Sequence, residues 1–91
     1  NRVDITECLE ELALIAAAGG QPLAAARLLG AASAMRHLTG AYTSIDEQDI
    51  GELARRLKGD PAHAAAFHDG SRFSVEQAVA YALSLSHSNI Q

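Results

Sequence analysis

The sequence predicts an all-α fold of about five helices, on three observations. First, 48% of the 91 residues are apolar, but 19 of these are Ala and 11 are Leu, against only 8 Ile or Val. Ala and Leu lose little conformational freedom in a helix, whereas β-branched residues do better in strands. Second, capping and stop signals cut the chain into segments of helical length. Third, apolar residues recur at spacings of three and four, and no window alternates with period two.

The first helix is expected to open at Asp4, a side-chain acceptor with Glu7 as its reciprocal partner three residues on. Ile5, Leu9, Leu12 and Ala16 then form one apolar stripe. Gly19-Gly20-Gln21-Pro22 ends it, since Gly accepts the left-handed conformation after a helix and Pro can open the next one. The second helix should run from Pro22 to Thr39 and stop at Gly40. Its apolar positions, Ala25, Leu28, Leu29, Ala32 and Met35, make a wide face of mostly small residues that lets a neighbour approach closely.

Asp46 is the expected cap of the third helix, with Ile45 and Ile50 as a hydrophobic staple around it. Ile50, Leu53, Ala54 and Leu57 form its buried stripe, and Lys58 then Gly59 close it. Asp60-Pro61 is a cap followed by Pro in the first helical position, so a short fourth helix is expected to about His68, closed by Gly70. Ser74-Val75-Glu76-Gln77 reads as a capping box. It opens a last helix to about Ser86, docked by Val79 and Leu83.

A chain of 91 residues, 9.5 kDa, is one small domain. Residues 1–91 lack an initiator Met and read as a fragment of a larger multidomain protein. The 7 basic and 11 acidic residues give a net charge of −4, a poor match for nucleic-acid phosphates, so no direct nucleic-acid binding is expected. No apolar run approaches the roughly 20 residues that cross a bilayer, so no membrane partner is expected. The lone Cys8 forms no internal disulfide, which fits a reducing, cytoplasmic setting. The abundance of Ala, and of Arg over Lys, is in keeping with a bacterial source.

The first two helices pair as a hairpin with a recognisable pattern. Leu9, Leu12, Ala13 and Ala16 on the first helix, Gly20 in the turn, and Ala25, Leu29 and Ala32 on the second resemble a tetratricopeptide repeat. The pattern departs from that family where Leu9 stands for the usual Trp and Ala16 for the usual Tyr. A second resemblance covers nearly the whole chain. Cys8-Leu9-Glu10-Glu11-Leu12-Ala13 and Ala24-Ala25-Ala26-Arg27-Leu28-Leu29-Gly30-Ala31-Ala32 are similar to the C-terminal helical segment of bacterial LuxR-type transcriptional regulators and related signalling ATPases. Ala64-Ala65-Ala66-Phe67 and Ser74-Val75-Glu76-Gln77-Ala78-Val79-Ala80-Tyr81-Ala82-Leu83 resemble the end of that segment. The resemblance implies ATPase and DNA-binding domains in the parent protein. Residues 1–91 contain neither a GxxxxGK[ST] phosphate loop nor a helix-turn-helix.

No catalytic constellation emerges, so no enzyme activity and no cofactor are expected. His63 and His68 are five apart and do not share a helix face, and no HExxH or paired Cys spacing exists for a metal. Cys8 sits among Glu7, Glu10 and Glu11, which discourages thiolate chemistry, and it reads as a small core residue. Glu10 and Glu11 diverge by about 100° on a helix and read as a solvated face. Arg55, Arg56 and Lys58 suit a helix C-terminus.

The expected function is therefore a protein-interaction and regulatory module that passes signal binding to domains outside these residues. Its expected structural and interaction residues are Ile5, Leu9, Leu12, Ile15, Ala25, Leu28, Leu29, Ala32, Val79 and Leu83. Other domains of the parent protein are the expected partners. A homodimer through Ile5, Cys8, Leu12 and Ile15 is also expected, because that strip of the first helix lacks a cover. The alternative is a small-ligand (inducer) binding helical domain, with a pocket between the second helix and the Tyr42 loop.

Overall fold

A computed structural model describes the backbone of residues 2–39 and 47–89, and the side chains of residues 5–36 and 50–85. The described residues form five helices: α1 (Arg2–Ala18), α2 (Pro22–Thr39), α3 (Glu47–Lys58), α4 (Pro61–Ser71) and α5 (Val75–Asn89). The fold is all-α, with no strand among the described residues.

The α1–α2 turn follows from its glycines. Gly20 takes a positive φ of 79°. The Gln21 N–H then donates to the Ala16 carbonyl at 2.8 Å and the Gly20 N–H to the Ala17 carbonyl at 3.2 Å. These two bonds satisfy carbonyls that a helix end otherwise leaves bare. Asp60 caps α4, its Oδ1 accepting from the Ala62 N–H at 2.8 Å, with Pro61 in the first helical position. At α5 the expected capping box closes both ways. The Ser74 N–H donates to Gln77 Oε1 at 2.8 Å, and the Gln77 N–H donates to Ser74 Oγ at 3.1 Å.

Helix α2 is the centre of the molecule, flanked by α1 on one side and α4 on the other. Its buried residues, including Ala25, Ala26, Leu28, Leu29, Ala31, Ala32 and Met35, surround much of its circumference. A helix apolar on most sides belongs inside a domain, and each fully buried Leu contributes about 1.5–3 kcal/mol. Leu9 and Ala13 bury from α1, Ile50, Leu53 and Leu57 from α3, Ala66 from α4 and Ala78 from α5.

The α2–α4 seam is made by two glycines. A Cβ on Gly70 would sit 2.7 Å from the Arg27 Cα, and one on Gly30 would sit 3.0 Å from the Phe67 carbonyl carbon. The pairs 27/70 and 30/67 fix α4 antiparallel to α2 with the backbones in contact. This corrects the expected role of Gly70. It does not stop α4 near His68 but lies inside a helix that continues to Ser71, buried against α2. The partner helix needs the missing side chain, not the backbone freedom.

Two further expectations are corrected. The first helix begins at Arg2, so Asp4 lies within it and does not cap it. Leu83 is 65% exposed and does not dock the last helix. Ala78 docks it instead, with Val75, Tyr81, Ala82 and Leu85 half-buried against the core. The expected Asp46 cap, the Ile45 staple and the Tyr42 loop lie outside the described residues.

Candidate interaction surface

Helix α1 carries two stripes. Thr6, Leu9, Glu10 and Ala13 are buried against the rest of the molecule. Beside them, at spacings of three, four and three, run Ile5, Cys8, Leu12 and Ile15. Ile5 and Leu12 are half-buried against the core, Cys8 is exposed, and Ile15 is 64% exposed. Cys8 is thus a surface residue, contrary to the core position expected for it. The expected hairpin residues Leu9, Ala25, Leu28, Leu29 and Ala32 are all in the core, and Val79 is half-buried.

Inside the α1–α2 interface lies a feature that the sequence concealed. Glu10 is 1% exposed and forms an ion pair with Arg36, whose side chain is 30% exposed. The second carboxylate oxygen, Oε1, is buried without a hydrogen-bond partner. A carboxylate taken out of water is tolerated only when paired, so Arg36 at the far end of α2 is what allows Glu10 its place. Adjacent to Glu11 in sequence, Glu10 looked solvated; its partner is 26 residues away.

A second polar arrangement joins α2, α4 and α5. The Arg27 Nη1 donates to the Tyr81 hydroxyl at 3.1 Å, and the guanidinium carbon lies 5.8 Å from the Tyr81 ring centroid. The Tyr81 ring is held in turn by Phe73, with centroids 5.7 Å apart and planes tilted by 53°. Arg27, Asp69, Arg72, Phe73 and Gln77 line an open groove of about 440 Å³ at this junction. A separate cleft of about 300 Å³ lies between α1 and α3, lined by Leu14, Ala17, Ala18, Glu52, Leu53 and Arg56. On the other side of α3, the Lys58 Nζ sits 4.3 Å from the centre of the Phe67 ring.

Among the described residues, no three of His, Cys, Asp and Glu come together as a metal site. No described helix is long and apolar enough to cross a membrane. Comparison of the chain with protein-family models, with curated proteins and with solved structures finds no match.

Proposed function

We propose that this chain is a helical protein-interaction and regulatory module of a bacterial, cytoplasmic transcriptional regulator. In this reading it transmits signal binding to ATPase or DNA-binding domains outside residues 1–91. The observation that carries the interaction role is the second stripe of α1, where Ile15 is 64% exposed on a helix whose other stripe is already buried. Helical modules of the tetratricopeptide kind bury such faces by stacking on a neighbouring helix pair. The LuxR-type context rests on the sequence resemblance. The proposed occupant of the stripe is a further helical element of the same regulator, and a second copy of the chain replaces it when that element is absent. The mechanism is a population shift: whatever binds the stripe in one arrangement of the regulator and not in another biases the two.

Cys8 lies on the stripe and is exposed, so its thiol reports on the cover directly. Labelling with a maleimide should be fast in dilute residues 1–91 and at least about tenfold slower in the full regulator. Equal rates in the two would overturn the reading.

A further inference from the structure

We infer that the groove between α2, α4 and the start of α5 is an oxoanion site that takes a small phosphate monoester. The argument begins with the backbone. Gly70 lets α4 touch α2 at Arg27, so the residues just after Gly70 are delivered to the side of the Arg27 side chain. Two residues on stands Arg72, and both arginines line the groove. In a chain of net charge −4, two guanidinium groups on one groove are a local reversal of sign.

Arg27 is also held in position before any ligand arrives. It is half-buried, with one N–H bond to the Tyr81 hydroxyl and its guanidinium close to the Tyr81 ring, which Phe73 braces. Tyr81 is a neutral acceptor, so the positive charge of Arg27 is not neutralised there. Asp69 lies on the same rim, yet among the described residues it forms no ion pair with Arg27 or Arg72. Two cations against one carboxylate leave the groove one positive charge in excess. Guanidinium forks match the oxygens of a phosphate two at a time.

The first turn of α5 adds to the same polarity. Gln77 lines the groove, and because its Oε1 is used by the Ser74 N–H, its amide NH2 remains a donor. Phe73 supplies an apolar wall for whatever the phosphate is attached to. A dianionic phosphate monoester uses both guanidinium groups, whereas a carboxylate carries only one charge to offer them. This site goes beyond the interaction role proposed above and stands on residues remote from the α1 stripe.

The test is a titration of residues 1–91 with phenyl phosphate and, separately, with benzoate, followed by the NMR signals of Phe73, Tyr81 and the Gln77 side-chain amide. Both probes carry a ring and differ in the anion. Phenyl phosphate should bind saturably and about tenfold more tightly than benzoate, and its affinity should fall at pH 5, where the monoester loses its second charge. Arg72→Gln, at an exposed turn, should weaken phenyl phosphate about tenfold, and Arg27→Lys should weaken it severalfold with the fold intact. Arg55→Gln on the exposed side of α3 removes the same charge elsewhere and should change nothing. Equal affinity for the two probes, no saturation, or an equal loss in Arg55→Gln would each overturn the inference.

Discussion

The two flanks of α2 meet their neighbours by opposite means. Toward α4 the contact is backbone to backbone, made possible by what Gly30 and Gly70 lack. Toward α1 it is side chain into side chain, with Leu9 and Ala13 in the core and the Glu10–Arg36 ion pair closing it. The first seam has no slack, because no rotamer change makes room for a Cβ. The second contains a charge that is tolerable only while its partner stays. One flank is therefore vulnerable to adding an atom and the other to removing one.

The sharpest break should come at the glycine seam. Gly70→Ala forces the α2 and α4 backbones apart and should cost about 3 kcal/mol, read as a lower midpoint in urea denaturation. Gly51→Ala is the matched control. It lies within α3 with nothing near its would-be Cβ, so the same change should stabilise by about 0.5–1 kcal/mol through helix propensity alone. Two alanines with the same sign of effect would refute the close-contact account of Gly70.

On the α1 flank, Arg36→Met should cost about 2 kcal/mol, because it leaves the Glu10 carboxylate buried and alone. The partial exposure of Arg36 keeps the loss below that of a fully buried pair. Adding Glu10→Leu to that variant should restore most of the loss, since a well-packed apolar pair often equals or exceeds a buried ion pair. A double variant no better than the single would mean that the pair holds α1 by more than mutual tolerance.

Smaller effects lie away from α2. Ser74→Ala removes one half of the reciprocal cap and should lower stability by about 1 kcal/mol in thermal or urea unfolding. Ile15→Glu should shift stability by less than about 0.5 kcal/mol, because the residue is exposed, and should abolish in light scattering the self-association proposed for the α1 stripe. A dimer that survives Ile15→Glu would place the self-contact elsewhere.

What was legible in the sequence was what is written locally. Helix α2 runs from Pro22 to Thr39, the bounds that Gly20-Gln21-Pro22 and Gly40 announce. Asp60-Pro61 and the Ser74–Gln77 box act within three residues, so a single strand of text contains both partners. The amphipathic stripe of α3 was equally plain, with Ile50, Leu53 and Leu57 buried between charged residues. Other features required the third dimension. Glycine is the same letter at a turn and at a close helix crossing, so in the sequence alone Gly70 reads as a stop. Glu10 looked solvated because its partner is far along the chain. In α5, Val79 and Leu83 share an apolar face by spacing, but Ala78 is the residue buried in the core. The Arg27 groove depends on three helices at once and left no motif at all.

Helix α3, like α5, has a different standing from the other three helices. It rests on α4, α2 and α1 far more thinly than α2 rests on its two flanks. Among its described residues, the anchors are the buried Ile50, Leu53 and Leu57 and the Lys58 ammonium over the Phe67 ring. Amide protons of α3 should therefore exchange with deuterium through a partial opening that spares α1, α2 and α4, well before the whole domain opens. The order of release is then written into the architecture: the helix linked through a lysine and an aromatic ring lets go before the helices locked through glycine.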